Sequence, residues 1–180
     1  MDSEQQLIEQ LKSPLTKERA FIELLNLYKE RLYWHIRKIV NSHDDTDDVL
    51  QNTFIKVYKN IDKFKGESKL YSWMYRIATN ESLTFLSKKA KQLNITDEEL
   101  QELSINNLKA DPYFEGDEVQ LKLQNAITTL PRKQQMVFNM KYFDNLKYTD
   151  MAEILETSEG ALKASYHIAV KKIEAFILKD

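Results

Sequence analysis

Residues 47–80 read DDVLQNTFIKVYKNIDKFKGESKLYSWMYRIATN, and this stretch says most about the fold. Its apolar residues recur at three- and four-residue spacing, which predicts two amphipathic helices joined by the loop FKGES, residues 64–68. Gly66 can adopt the positive φ that other residues avoid, so the chain is expected to turn there. The core side of the first helix is predicted to consist of Val49, Leu50, Phe54, Val57, Tyr58 and Ile61.

The same stretch places aromatic rings beside positive charges. These residues are Phe64, Tyr71, Trp73 and Tyr75 with Lys63, Lys65, Lys69 and Arg76. Unstacked bases can stack on aromatic rings while Lys and Arg neutralise phosphates, so the pattern suits a nucleic-acid surface. It also suits a half-buried helix, because Trp73 is in phase with Leu70 and Ile77 and is expected to belong to the core. Taken alone, the stretch leaves both interpretations open.

Composition favours an all-α protein. The chain has 180 residues, of which 42% are hydrophobic, with only three Gly and three Pro. It has no cysteine, which excludes disulfides and thiolate metal sites and is typical of a reducing compartment. No apolar run approaches the roughly 20 residues that a membrane span needs, and the first ten residues are too polar for a signal peptide. We therefore expect a cytoplasmic protein without membrane insertion.

Charge divides the chain into two basic segments and an acidic one. Residues 17–91 carry 15 Lys and Arg against 10 Asp and Glu, and residues 120–180 carry 9 against 7. Residues 92–119 carry 1 against 8. Local charge governs contacts with nucleic acid, because distant exposed charges are screened within about 8–10 Å. The sequence thus predicts one domain at 1–91, an acidic linker at 92–119 and a second domain at 120–180.

The second domain contains a helix-turn-helix pattern. Residues 146–177 read LKYTDMAEILETSEGALKASYHIAVKKIEAFI, two amphipathic helices separated by a polar turn at 156–158. Ser158 is predicted to cap the second helix, whose polar face would enter a major groove. An ordinary helical hairpin fits the pattern equally well.

Further helices are predicted from the same spacing. One begins after Thr16 and ends at 41–43, and the others span about 68–91, 119–129 and 132–143. Thr96 and Glu99 match a capping box, so a short helix can form there, but the acidic segment is expected to be mostly extended.

Two stretches together resemble the extracytoplasmic-function (ECF) sigma factors, the smallest bacterial sigma factors. Residues 45–80, DTDDVLQNTFIKVYKNIDKFKGESKLYSWMYRIATN, resemble their core-binding and promoter-melting domain. Residues 130–173, LPRKQQMVFNMKYFDNLKYTDMAEILETSEGALKASYHIAVKKI, resemble their C-terminal promoter-binding domain. Both occur in the family's order, and the resemblance covers roughly residues 17–178. It implies a protein that binds core RNA polymerase, directs it to certain promoters and helps to open the DNA.

The resemblance also implies where the partners bind. The polymerase β′ coiled coil and β subunit are the expected protein contacts, and promoter DNA is expected both as duplex and melted. The residues implied for polymerase binding are Asp47, Asp48, Val49, Gln51, Asn52 and Phe54. Those implied for the minus-ten element, including a pocket for a flipped base, are Phe64, Lys65, Ser68, Tyr71, Tyr75, Arg76 and Asn80.

For the minus-thirty-five element, the resemblance implies the second helix of the helix-turn-helix. Its implied readers are Glu159, Lys163, Ser165, His167, Lys171 and Lys172. Many relatives carry a basic run similar to KSRLHRAR where this chain has KASYHIAV at 163–170, so fewer phosphate contacts are expected. The family also implies an anti-sigma factor as a partner, and a linker that passes through the polymerase cleft.

Other classes of protein fit less well. The sequence has no phosphate-cradling glycine loop, and His35, His43 and His167 are too scattered for a metal site or a catalytic dyad, so we expect neither an enzyme nor a cofactor. A free-standing helix-turn-helix regulator would bind duplex DNA without polymerase, usually as a dimer. A helical interaction protein would have no DNA role and would tolerate replacement of Lys163 and Asn80.

Overall fold

The computed structural model describes residues 3–110 and 118–179, and every regular element in those ranges is a helix. The α-helices are α1 (Ser3–Lys12), α2 (Lys17–Val40), α3 (His43–Asn60), α4 (Leu70–Leu93), α5 (Asp97–Ala110), α6 (Glu118–Thr128), α7 (Arg132–Tyr142), α8 (Tyr148–Leu155) and α9 (Glu159–Ile177). A single 3₁₀ turn, Ile61–Lys63, follows α3. The all-α prediction is confirmed.

Helices α2, α3 and α4 pack against one another and enclose the larger core. Their apolar stripes point inward, as the three- and four-residue spacing predicts. Leu32, Ile36, Val57 and Met74 are completely buried. Because full burial of one such side chain is worth about 1.5–3 kcal/mol, hydrophobic packing is the main source of this unit's stability.

The junction between α2 and α3 follows the predicted turn. Asn41 ends α2 with a φ of 57°, and the Ser42 hydroxyl accepts a bond from the Asp45 backbone N–H at 3.4 Å. Thr16 does precede α2, but its hydroxyl donates to the Gln10 carbonyl at 2.8 Å and forms no side-chain cap. Thr16 therefore occupies the N-cap position of α2, but its side chain does not cap the helix.

Helix α1 was not predicted from the sequence. It packs on α2 and on the 3₁₀ turn, and it buries Leu7 and Leu11 against the larger core. Its sequence, SEQQLIEQLK, has few apolar residues, so the helical pattern is visible only once a partner surface is known.

The prediction of a mostly extended acidic segment is wrong for residues 97–110, which form α5. The capping box is present, since the Thr96 N–H donates to Glu99 Oε2 at 2.7 Å and the Glu99 N–H donates to Thr96 Oγ1 at 3.2 Å. This reciprocal cap starts a helix despite the negative charge, and acidic side chains in its first turn favour the positive end of the helix dipole. The linker residues 111–117 lie outside the described part of the chain.

Helices α6 to α9 form the C-terminal half, residues 118–179. They enclose a smaller core of Ala126, Ile127, Leu130, Phe138, Ala169 and Ile173. The helix-turn-helix is confirmed: α8 ends at Glu156, which has a φ of 50°, and the Ser158 hydroxyl accepts from the Ala161 N–H at 3.2 Å to cap α9.

The C-terminal half contacts the N-terminal helices directly. Helix α8 lies against α4, and side chains from both halves belong to one buried cluster. The C-terminal members of that cluster are Val137, Met140, Leu146, Met151, Ile154 and Leu162. The apolar face of α8 therefore serves both the helix-turn-helix and the contact with α4.

Candidate nucleic-acid and polymerase interfaces

The loop at residues 64–70, called the recognition loop below, connects the 3₁₀ turn to α4. Gly66 turns the chain with a φ of 74°, as predicted. A Cβ at that position would meet no heavy atom within 4 Å, so the backbone conformation alone requires glycine. The loop exposes Lys65 and Lys69 and leaves Ser68 partly exposed. Two cations and a hydroxyl thus lie on one short, sharply turned segment.

Phe64 does not occupy an open base-binding pocket. Only 3% of its surface is exposed, and its ring centroid lies 5.2 Å from that of Trp73, which packs on the core as predicted. The prediction that Phe64 contributes to an open base pocket therefore needs correction, because its ring is buried against Trp73. Its ring supports the loop from below.

Tyr75 is also buried, contrary to its predicted place on a DNA surface. It is 2% exposed, and its hydroxyl donates to the Arg31 carbonyl at 3.4 Å. Burial, aided by the Asp144 carboxylate, raises the pKa of the Tyr75 hydroxyl to about 12. Tyr71 lies edge-on to Tyr75 at 6.1 Å and remains partly exposed. Tyr71 is thus the better placed of the two rings to meet a base.

Two acidic residues of α8 and its turn pair with cations of the recognition loop and of α4. Lys69 Nζ lies 2.9 Å from Asp150 Oδ1, and an Arg76 guanidinium nitrogen lies 3.2 Å from Glu156 Oε1. Burial pushes the pKa of Asp150 up, but the hydrogen bond from Tyr71 and the Lys69 ammonium outweigh it and hold the pKa below its usual range. The Asp150 carboxylate is therefore ionised where it contacts the recognition loop.

A second acidic contact joins the C-terminal half to α2. Asp144, in the turn after α7, forms an ion pair with Lys38 of α2, and His35 Nδ1 lies 3.6 Å from the same carboxylate. The other ring nitrogen of His35 is 2.8 Å from Thr79 Oγ1. Burial raises the pKa of Asp144, but the hydrogen bonds and charges of His35 and Lys38 reverse the effect and leave it lowered. His35 thus has a structural role between α2, α4 and the C-terminal half.

Two open clefts run along the contact between the halves. The larger, about 450 Å³, is lined by Glu30, Arg31, Trp34, Lys38, Tyr75, Phe143 and Asp144. The smaller, about 310 Å³, lies between α4, α7 and α8 and includes the exposed Asn80. Asn80 therefore keeps its amide accessible, as its predicted role requires, although α8 lies alongside it.

The outer face of α9 is polar and accessible. Lys163, His167, Lys171 and Lys172 are exposed, and Glu159 and Ser165 are partly exposed. Lys163 Nζ lies 3.7 Å from Glu159 one turn earlier, and Lys172 Nζ donates to Gln134 Oε1 at 3.2 Å. All six predicted minus-thirty-five readers thus lie on α9 with solvent access.

Four of the six residues predicted to bind polymerase are exposed on α3, and two are buried. Asp47, Asp48, Gln51 and Asn52 are exposed. Val49 and Phe54 are buried at 1% and 7% exposure, because they continue the core stripe, so neither can contact a partner in this fold. Ile55 is 45% exposed beside the polar residues and was missed. Its position seven residues after Asp48, two turns along the same face, is the sequence signal that identifies it.

Neither a membrane-crossing helix nor a metal-binding cluster occurs in the described residues. Within 3–110 and 118–179, none of the helices combines the length and apolar character that a bilayer requires. The same ranges contain no group of His, Asp and Glu side chains placed to hold a metal ion.

Comparison with known proteins identifies both halves. Residues 24–92 match the family model for Sigma-70 region 2, and residues 120–173 match that for Sigma-70, region 4. The chain is 29% identical over 156 residues to the ECF RNA polymerase sigma factor SigW of Bacillus subtilis, covering 82% of this chain and 83% of the relative. It is 28% identical over 165 residues to the ECF RNA polymerase sigma-E factor of Haemophilus influenzae, covering 87% of each.

Two solved structures share the fold. The sigma factor RpoE from Bartonella quintana, crystallised with the anti-sigma factor NepR, superposes with a TM-score of 0.68 at 19% identity over 89% of this chain and 98% of that one. CnrH, solved in complex with the cytosolic domain of CnrY, superposes with a TM-score of 0.72 at 20% identity over 99% of each chain. The arrangement of helices is therefore that of solved sigma factor structures.

Proposed function

The chain belongs to the extracytoplasmic-function sigma factors, and on that premise we propose that it binds core RNA polymerase, directs it to specific promoters and assists in opening the DNA. The observation that carries the proposal is the presence of both sigma regions, in order, in one chain whose α9, the second helix of the helix-turn-helix, exposes its polar face. A free-standing helix-turn-helix regulator would need only the second region.

The exposed face of α3 is the proposed polymerase surface. Asp48, Gln51 and Ile55 follow one another at three- and four-residue spacing, so they lie on one side of the helix. Exposed carboxylates steer the encounter with a basic partner, and burial of a branched apolar side chain slows dissociation. Ile55 takes the role that the buried Phe54 cannot fill.

The recognition loop and the exposed side of α4 form the proposed minus-ten surface. Lys65 and Arg76 supply charge for phosphates, while Ser68 and Asn80 offer hydrogen-bonding groups to base edges. Tyr71 provides a partly exposed ring for stacking. Phe64 and Tyr75 act from beneath, because their buried rings fix the backbone that carries these groups.

The exposed face of α9 is the proposed minus-thirty-five surface. Lys163 and His167 lie in the first half of the helix, which enters the major groove in helix-turn-helix proteins. Lys171 and Lys172 lie further along, where they can meet phosphates. Ala164 and Ile168 stand between these polar residues and are exposed, so the surface has fewer cations than its length allows.

The packing of α8 on α4 is incompatible with simultaneous contact to both promoter elements. Elements centred about 25 base pairs apart are separated by about 85 Å of duplex at ~3.4 Å per base pair. A compactly folded chain of this length has a radius of gyration of about 16 Å. The described conformation is thus a closed form, and promoter binding requires the halves to separate.

An anti-sigma factor and the polymerase β subunit belong to the same proposal. The RpoE relative was solved with an anti-sigma factor, which supports a partner of this kind for a chain of the same fold. The wide cleft between the halves, with Trp34 51% exposed at its edge, supports binding of a partner that contacts both halves.

The proposal is tested by co-purification with core RNA polymerase, followed by transcription from a pool of promoter fragments. We expect a one-to-one complex that initiates at a subset of promoters. Asp48→Arg should weaken the complex, whereas the matched charge reversal Glu174→Arg, on exposed α9, should leave polymerase affinity unchanged. Absence of binding to the cognate polymerase would overturn the proposed function. An Asp48→Arg variant that binds polymerase with the parent's affinity would exclude the α3 face as the polymerase surface.

A further inference from the structure

We infer that α1 is a positioning element for promoter recognition, because Glu4 and Lys12 hold the two ends of the recognition loop. This inference rests on the proposed function, since it concerns the loop assigned to the minus-ten element. Neither residue lies in the segments matched by the family models, which begin at residue 24. Helix α1 would thus act on DNA recognition without touching DNA.

Lys12 holds the entry of the loop. Its Nζ donates to the Phe64 carbonyl oxygen at 2.6 Å, and the ammonium lies 6.0 Å from the Phe64 ring centroid. The Phe64 N–H is already bonded to the Ile61 carbonyl at 3.0 Å, so both backbone groups of Phe64 are satisfied. A charged donor to a partly buried carbonyl fixes the point from which the chain turns toward Gly66.

Glu4 holds the exit of the loop, where α4 begins. Its Oε1 accepts a bond from the Leu70 backbone N–H at 3.1 Å. Lys69, the N-cap residue of α4, makes no side-chain cap. The Leu70 N–H, one of the first-turn groups without a partner inside the helix, instead bonds to Glu4, which lies 66 residues earlier in the chain. A carboxylate at this end also opposes the positive end of the α4 dipole. Glu4 therefore replaces the cap that the local sequence lacks.

The two contacts are fixed relative to each other by α1 itself. Glu4 and Lys12 are eight residues apart, about 12 Å along a helix axis, and Leu7 and Leu11 between them are 5% and 1% exposed. Six residues of free chain can span about 20 Å. A helix that is anchored by two buried leucines and binds both ends of the loop therefore restricts how the loop's exposed groups are presented.

The consequence is specificity in addition to stability. Lys65, Ser68 and Lys69 lie between the two held points, and base discrimination depends on donors placed within a fraction of an ångström. Releasing the loop should let these groups adjust to an incorrect base. Binding to polymerase through α3 and to duplex through α9 should be unaffected, since α1 packs mainly on α2 and the 3₁₀ turn.

The test compares Glu4→Ala, Lys12→Met and the double variant with Glu9→Ala, all in the full chain assembled with core polymerase. Glu9 lies on the same helix but is exposed, so its replacement removes the same charge without a loop contact. Initiation is measured on a parent promoter, on single-base substitutions of its minus-ten element and on matched substitutions of its minus-thirty-five element. The double variant should lose about three- to tenfold in minus-ten discrimination, and Lys12→Arg should retain most of it.

Hydrogen exchange of the free protein gives a second readout. The Leu70 amide should exchange faster in Glu4→Ala than in the parent, while Glu9→Ala leaves it protected. An active parent whose variants keep full minus-ten discrimination would overturn this inference alone, as would equal losses at both promoter elements. A parent chain that neither binds polymerase nor initiates would overturn the proposed function and this inference with it.

Discussion

Replacing Asp144 by Asn should open the closed form, because this carboxylate links the C-terminal half to α2. Asn keeps the shape of the side chain but removes the charge that pairs with Lys38 and faces His35 at 3.6 Å. The Asp144 carboxylate contacts Lys38 and His35, which both belong to α2, so the substitution acts on the contact between the halves and leaves the helix-turn-helix core in place.

The size of the effect follows from burial. The Asp144 side chain is 11% exposed and that of Lys38 is 21% exposed. Hydrogen bonds to charged groups contribute about 1.5–3 kcal/mol, and partial access of solvent to Lys38 favours the lower end. A loss of about 1.5–2 kcal/mol corresponds to a roughly 10- to 30-fold higher ratio of open to closed molecules. Glu156→Gln is the matched comparison, because its 70% exposed carboxylate pairs with Arg76 and should change that ratio little.

The assay is energy transfer between dyes on α3 and α9. The chain has no cysteine, so Lys59→Cys and Glu174→Cys at exposed positions give a specific label pair. Transfer should fall in Asp144→Asn and stay near the parent value in Glu156→Gln. Equal transfer in the parent and Asp144→Asn would refute the assignment of Asp144 as a closing contact, as would an equal fall in both variants.

Four further substitutions separate the surfaces from the core. Ile55→Ala should lower polymerase affinity about three- to tenfold with an unchanged melting temperature. Phe54→Ala should instead lower the free energy of unfolding by about 3–5 kcal/mol in denaturant titrations. Loss of stability in Ile55→Ala and loss of affinity alone in Phe54→Ala would show that the two side chains have been assigned the wrong way round. Because the pKa of Tyr75 is raised to about 12 from 10.0, stability that is complete below pH 10 should be lost as pH rises through 12, by about 2–3 kcal/mol, and Tyr75→Phe should remove that pH dependence in unfolding curves. Lys171→Ala should lower the slope of log affinity against log salt for minus-thirty-five duplex by about 1, and an unchanged slope would exclude a phosphate contact.

The helices of both sigma regions were predictable because their signals are local. The apolar spacing, the turn at Asn41 and the Ser158 cap each depend on residues within one or two turns of the chain. The same spacing already predicts that Phe54 is buried, because it continues the apolar stripe of Leu50 and Val57. Assigning it also to a partner surface required one side chain to face two ways.

The missing features depend on contacts distant in sequence. Helix α1 is stabilised by Leu7 and Leu11 against a core formed later in the chain, and its two charged contacts reach the recognition loop. Asp144 meets Lys38 across 106 residues. Helix α5 was the exception, because the Thr96 capping box is a local signal that the acidic composition obscured.

The closed form pairs carboxylates of the C-terminal half with cations that are proposed to bind promoter phosphates. Lys69 pairs with Asp150 and Arg76 pairs with Glu156, and both cations belong to the surface proposed to bind the minus-ten element. On this proposal, DNA and the C-terminal half would compete for the same charges. Salt weakens the ion pairs between the halves and also the contacts between these cations and phosphates, so raising the salt concentration should open the protein without raising its affinity for DNA. A partner that separated α8 from α4 without screening charge would leave Lys69 and Arg76 available to phosphates, which added salt cannot do.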